Sequence, residues 1–341
     1  MSQTLIEKSC QEGSPLGVVA TDRVWESAIV IQGPYFPTKT ENSIRVFLER
    51  NDSTVLVVVS TYLPVEESEG TRPVGSFLSK FERDIVLGRH SESPHIGRLV
   101  YLFVRQPALG ISPDFWGKNT GQNLHRLSTF VGLRYVESLR IPLVLKCRSD
   151  SFFGISNINR MLYEKYTIGF PLFLPQNSTI DPLKLKARIA VTDHSKTDCT
   201  FHKTAFIGKY FIGDFWYFGY TSDIIEFFKI GVNSNWDDGR GIRPDEDPET
   251  NFTDCWMREV GIPSSTAGAR ELAARYLAIP SSVETEFVIQ KLNRYEYYLR
   301  LGVECIEKCI KYYHESFCCV YLSNQLWLKD VDYFREQQTV S

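Results

Sequence analysis

AIVIQGPYFPTKTENSIRVFLERNDSTVLVVVST, residues 28–61, decides the fold class. Ala28-Ile29-Val30-Ile31 is an unbroken apolar run of strand length, and Gln32-Gly33-Pro34 ends it as a turn. From about Lys39, Ile44, Phe47 and Leu48 recur three and four residues apart, the spacing of one helix face. Val55 to Val59 is a second apolar run, closed by Ser60-Thr61. Neither strand alternates apolar with polar residues, so both are expected to be buried on two faces, as in a parallel sheet. The unit reads as βαβ.

Outward from it the alternation continues, with a helix over Ser76 to Leu87, a strand over Leu99 to Val104, a helix over Gly121 to Ser138 and a strand over Leu143 to Lys146. This predicts an α/β fold, a Rossmann-like, mostly parallel sheet with right-handed crossovers and helices on both faces. Past Asp150 the pattern weakens. A helix over Ile155 to Lys165, a strand over Ala187 to Val191, an aromatic stretch from Phe211 to Tyr220 and an acidic loop at Pro244 to Glu249 are expected, and the stretch from Ser281 is helical in pattern. The chain divides into an irregular lead-in (1–26), a ligand-binding α/β half (27–150), a second half (151–262) and a helical C-terminal segment (263–341).

Of 341 residues, 43% are hydrophobic and 13% aromatic, enough for a sizeable core. Lys and Arg number 38 against 41 Asp and Glu, and no extended basic run exists, which argues against nucleic acid and for small anions. No window reaches the ~18–20 apolar residues of a membrane span, and MSQTLIEKSCQEGSPLG lacks the look of a secretory signal. A cytoplasmic protein with at most peripheral membrane contact, monomer or homodimer, is expected. Eight cysteines are too few for a disulfide scaffold. Cys305, Cys309, His314, Cys318 and Cys319 invite a zinc reading, but no pair of CxxC motifs is present, and buried thiols are the plainer reading.

Ligands of open parallel sheets sit outside the carboxyl ends of the strands. The residues placed there are Gln32-Gly33-Pro34, Ser60-Thr61, Arg105-Gln106 and Arg148-Ser149-Asp150. The first turn has neither GxGxxG nor GxxxxGK[ST], so a dinucleotide fingerprint and a P-loop are both excluded. Gly33 would let a base or ribose approach the backbone, or it is a plain turn glycine. Asp150 suits a Mg²⁺ or Mn²⁺ held against phosphate oxygens, and Arg148 suits direct pairing with a phosphate. The alternative is a surface salt bridge at a strand end.

Asn123-Leu124-His125-Arg126-Leu127-Ser128-Thr129, with Gly132-Leu133 and then Val144-Leu145-Lys146-Cys147-Arg148-Ser149-Asp150, resembles the central motif of the WavE lipopolysaccharide synthesis family. Ile29 to Pro34 with Thr38 and Thr40, Val57 to Tyr62, Gly213 to Gly219 with Asp223, and Pro248-Glu249 resemble further segments of that family in the same order. The likeness covers roughly residues 27–255. It implies a GT-A-like glycosyltransferase that passes a sugar from a UDP- or GDP-sugar donor to a glycan or glycolipid acceptor in surface polysaccharide or glycan synthesis. By the same resemblance Gln32, Gly33, Pro34, Thr61, Arg126, Arg148 and Asp150 bind the donor. Asp150 takes the last position of the DxD metal motif, where Arg148 replaces the first carboxylate and leaves metal dependence open.

An inverting transferase needs a carboxylate that deprotonates the acceptor hydroxyl. Glu249 is the preferred base, with Asp214 holding the acceptor and Asp245 as a further candidate. The same acidic loop also reads as a solvated, salt-bridged surface, and a retaining mechanism needs no such base. Trp216, Tyr217, Phe218 and Tyr220 offer rings for sugar stacking, although Phe215 and Tyr217 read as core. His194 and His202 are read as loop histidines. The rival readings are a noncatalytic nucleotide- or carbohydrate-binding protein on a degenerate transferase scaffold and a sugar-phosphate nucleotidyltransferase, whose basic glycine-rich first loop is missing here.

Overall fold

The apolar run beginning at Ser27 becomes β1 (Ser27–Pro34), in which every residue except Pro34 is buried. The computed structural model describes residues 15–17, 19, 23–62, 78–88, 93–104, 113–168, 172, 184–192, 213, 215–232, 248–280 and 282–289. After β1 come α1 (Pro37–Arg50), β2 (Val55–Tyr62), α2 (Lys80–Val86), β3 (Leu99–Val104), α3 (Pro113–Ser138) and β4 (Leu143–Arg148). The second half contributes β5 (Ser151–Phe153), α4 (Ile158–Leu162) running into a π-helical turn (Tyr163–Thr167), β6 (Ile189–Val191), β7 (Trp216–Tyr220), α5 (Thr221–Val232) and α6 (Pro248–Glu259). Then follow α7 (Thr266–Tyr276), β8 (Leu277–Ala278), α8 (Ser282–Thr285) and β9 (Phe287–Ile289).

Seven strands form one sheet in the order β3-β2-β1-β4-β7-β6-β8. β3, β2, β1 and β4 are mutually parallel, β7 runs antiparallel to both β4 and β6, and β8 is parallel to β6. One strand in seven is reversed, so the sheet is mixed and mostly parallel, as the apolar runs predict. Alternation along the strands feeds two cores. Ala28, Val30, Leu56, Val58 and Val144 pack against α3, α5, α6 and α7, and Ile29, Ile31, Val57, Val59 and Leu145 pack against α1, α2 and the small antiparallel β5–β9 sheet.

The segment from 263 thus carries helices and also supplies β8 and β9. In the lead-in, Leu16 bridges edge strand β3 by exchanging both main-chain hydrogen bonds with Tyr101, at 2.8 and 2.9 Å. α3 begins eight residues earlier than its periodicity suggests. It comes close to the sheet at Gly132, where a Cβ would stand 2.5 Å from Val30 Cγ1 and 3.1 Å from Ser60 Cβ. Ser60 Oγ also donates to the Ser128 carbonyl at 2.6 Å.

Two buried ionic groups organise this scaffold. The side chain of Glu82 accepts from Tyr35 and Tyr101 hydroxyls at 2.6 and 2.5 Å and closes a capping box with Ser79, so the loop after β1 is fastened to α2. Burial, reinforced by Glu82, holds the Tyr35 phenol far above its usual range. Arg98 lies at the C-terminal end of α1, where carbonyls lack helical partners. It donates to the carbonyls of Leu48, Asn51, Asp52 and Val55 at 2.7–3.3 Å. Burial, with nearby Arg23, brings its guanidinium down to about 10.

Candidate functional site

The sheet order reverses between β1 and β4. Chain progress runs outward to β2 and β3 on one side and to β4 on the other, which opens a crevice at the carboxyl ends of β1 and β4. Register pairs Gln32 with Arg148 across that crevice.

The first turn is rigidly held. Ser149 N–H donates to the Gln32 carbonyl at 2.8 Å, Thr61 Oγ1 to the Gly33 carbonyl at 2.8 Å, and Ser149 Oγ to the Pro34 carbonyl at 2.7 Å. Gly33 sits at φ +127°, and a Cβ there would meet Ser149 Oγ at 2.9 Å. The side of Gly33 where a Cβ would stand is therefore taken by Ser149, which suits a glycine at this turn. Thr61 is likewise buried and donates its hydroxyl to the turn. Gln32 differs from both. Alternation from Ala28 and Val30 puts it on the α3 face, it is 3% exposed, and its Oε1 has no hydrogen-bond partner. A buried amide oxygen left open costs free energy unless a ligand or water supplies a donor.

Arg148 and Asp150 form an ion pair with each other. Nε donates to Oδ1 at 2.9 Å and Nη2 to Oδ2 at 3.1 Å, with side chains 19% and 4% exposed. The guanidinium also lies 5.2 Å from the ring centre of Phe215. Expected as core, Phe215 is half-buried against Phe287 and supports the charge. A salt bridge does stand at this strand end, as one reading expected, but it is largely buried and not on the surface. The donor set does not fit a divalent cation. It offers one carboxylate with both oxygens engaged by an arginine, and among the described residues no three His, Cys, Asp or Glu side chains gather to hold a metal. Below this pair Lys146 is fully buried, its ammonium 5.4 and 5.7 Å from the ring centres of Tyr217 and Phe228. Cys147 is fully buried, and burial pushes its thiol up, which leaves it inert.

The aromatic stretch departs from expectation. Trp216, Tyr217 and Phe218 are all fully buried, because β7 is an interior strand covered on both faces. Only Tyr220 is half-buried, edge-on to Tyr163 with Lys186 over its ring; Tyr217 is core as expected, and sugar stacking on Trp216 and Phe218 is corrected to core packing. Asp223 accepts from the Lys186 and Ala187 N–H groups at 2.8 and 3.1 Å and anchors the entry to β6. Burial raises its carboxyl above the ordinary range despite those donors.

Arg126 lies in α3 and Glu249 in the first turn of α6, and both side chains fall outside the described residues, as do Asp214, Asp245, His194, His202 and the cysteine-rich stretch 305–319. A cavity of about 370 Å³ opens at the other, amino-terminal end of the sheet, lined by the first residues of β1, β2 and β4, the turn after α1 and part of α4 with its π-helical turn. No helix among the described residues is long and apolar enough to cross a membrane.

No protein-family model matches the chain, and no curated protein matches it either, so the family resemblance rests on the quoted segments alone. Solved structures share a distant likeness. The apo-form glycosyltransferase GlyE of Streptococcus pneumoniae TIGR4 is 7% identical with a TM-score of 0.33, over 70% of this chain and 44% of that one. This chain thus spans less than half of that protein. A glycosyltransferase involved in glycosylation of the major capsid of PBCV-1 is 12% identical with a TM-score of 0.35, over 81% and 99%. A nucleoside-diphosphate-sugar pyrophosphorylase from Vibrio cholerae RC9 is 11% identical with a TM-score of 0.35, over 80% and 99%.

Proposed function

We propose that this chain is a glycosyltransferase that takes a UDP- or GDP-sugar at the carboxyl ends of β1 and β4 and transfers the sugar to a glycan or glycolipid acceptor. The observation that carries the reading is Gln32, whose buried side-chain carbonyl lacks a partner beside a preformed turn at the point where strand order reverses. Next to it in register stands Arg148, whose planar fork matches a phosphate as well as a carboxylate. A diphosphate entering the crevice competes with Asp150 for that fork. As the donor C–O bond to the diphosphate breaks, charge grows on the departing oxygen and the guanidinium stabilises it. Glu249, in the first turn of α6, is proposed to accept the acceptor hydroxyl proton, with Asp214 or Asp245 orienting the acceptor and Arg126 reaching the donor. The role of Arg126 comes from the resemblance, and the carboxylates are proposed because an inverting transferase needs a base. No step is routed through Mg²⁺ or Mn²⁺, because the described donors do not fit one.

Titration calorimetry with UDP-, GDP- and CDP-sugars tests the proposal. One nucleotide class is expected to bind, Arg148→Ala to weaken it about tenfold or more, and Asp150→Asn to leave binding unchanged or tighter by freeing the guanidinium. Loss of binding in Asp150→Asn restores a metal role for that carboxylate. Silence from every nucleotide overturns the proposal. The closed Arg148–Asp150 pair also favours a second reading, binding without turnover, which release of free sugar from the bound donor excludes.

A further inference from the structure

The crevice rim from Gln32 to Phe36 is fastened residue by residue. The carbonyls of Gln32, Gly33 and Pro34 are taken by Ser149 and Thr61, and the Phe36 N–H donates to Thr40 Oγ1 at 2.9 Å. Between them Tyr35 is held by its side chain, whose hydroxyl donates to Glu82 Oε2 at 2.6 Å. Glu82 belongs to α2 and is fully buried, and its other oxygen accepts from Tyr101 of β3 at 2.5 Å. The Ser79 N–H also donates to Oε2, at 2.7 Å.

The hydrogen-bond partners of this carboxylate among the described residues are thus two phenols and a main-chain N–H, all neutral. Burying a carboxylate on neutral donors costs desolvation that apolar side chains of similar volume would not, so stability is a poor reason for it. What the arrangement adds is direction. A charge-assisted hydrogen bond ties the Tyr35 hydroxyl to one point. Burial, together with the Glu82 charge, keeps both phenols far above their usual range, so both stay donors. We propose that Glu82 is a positioning residue: acting through Tyr35, it holds the rim 32–36 in the conformation that receives a nucleotide diphosphate. The inference rests on the reading of the crevice as a nucleotide-sugar site and extends that site to α2 and β3. A rim released from Glu82 samples other conformations, and apparent affinity then falls in proportion to the fraction still competent.

Tyr35→Phe and Tyr101→Phe separate positioning from mere support, because each removes one phenol from the same carboxylate and only Tyr35 belongs to the rim. Both are expected to lower the urea midpoint. In calorimetry on the full chain with UDP and GDP, the nucleotide that the parent binds should bind Tyr35→Phe about tenfold more weakly and Tyr101→Phe within about twofold of the parent. Glu82→Gln should weaken that nucleotide in the parent but cost no further affinity on the Tyr35→Phe background, as expected of two residues acting in series. Amide exchange over 32–36, read without ligand, should quicken in Tyr35→Phe and not in Tyr101→Phe. Equal losses of affinity in the two phenylalanine variants, or full affinity in Tyr35→Phe, overturn the positioning role and leave the nucleotide site standing. A parent that binds neither nucleotide removes both.

Discussion

Replacing Gly132 by alanine sets two physical effects against each other. In an exposed helix, alanine in place of glycine stabilises by about 0.5–1 kcal/mol through lost chain freedom in the unfolded state. At Gly132 the new Cβ would lie 2.5 Å from Val30 Cγ1 and 3.1 Å from Ser60 Cβ. A comfortable carbon contact is about 3.5–4.0 Å, so roughly 1 Å of separation has to be found. Val30 is fully buried on an interior strand and its β-branched side chain is stiff, so α3 has to retreat or Val30 has to leave its rotamer. Overpacking of this kind costs about 1–3 kcal/mol, which leaves a net loss of about 0–2.5 kcal/mol, centred near about 1 kcal/mol. Urea unfolding followed by tryptophan fluorescence reads the difference. The decisive arm is the Val30→Ala background, where the obstructing methyl is gone and Gly132→Ala should become neutral or stabilising by up to about 1 kcal/mol, a coupling of about 2 kcal/mol. A Gly132→Ala protein that is more stable than the parent refutes the close approach of α3 to β1.

Two further outcomes follow from the buried and paired charges. Arg98→Met should cost at least about 3 kcal/mol, because the carbonyls of Leu48, Asn51, Asp52 and Val55 lose a shared donor; a urea midpoint within error of the parent would falsify that role. Burial alone would raise the Glu284 carboxyl, but hydrogen bonds from Lys165, at 2.7 Å, and from Tyr166 outweigh it and hold the group below its ordinary range. A depressed carboxyl contributes stability above its unfolded value of about 4.3 and loses it as pH falls through the folded one. Glu284→Gln should therefore be less stable than the parent near neutrality, and the gap should close in urea titrations taken toward pH 3; a gap that widens on acidification contradicts the linkage.

The four parallel strands were legible because each is an uninterrupted apolar run, which only burial on both faces explains. β5, β8 and β9, of three, two and three residues, are too short for any period to register, and their partners lie far away in sequence. The carboxyl rim was legible as a place through Gln32 and Arg148, since strand ends can be counted. Which rim residues face a ligand was not, because Ser149 and Thr61 look as available as Gln32 until the structure turns them on the Gly33 turn. The pairing of Arg148 with Asp150 was not legible, because residues two apart at a strand end meet only where the chain turns.

The bridge from Leu16 to Tyr101 bears on how copies of this protein behave toward one another. An outermost strand offers an open ladder to any neighbouring chain, the usual starting point for self-association. Here Leu16 occupies the main-chain groups of Tyr101, at the middle of that strand. The residue after it, at φ +120°, has no room for a side chain, since a Cβ would meet the Leu99 carbonyl oxygen at 2.8 Å. Protection of the border strand therefore depends on this one tether, and displacing Leu16 would unmask a surface ready to recruit a second molecule.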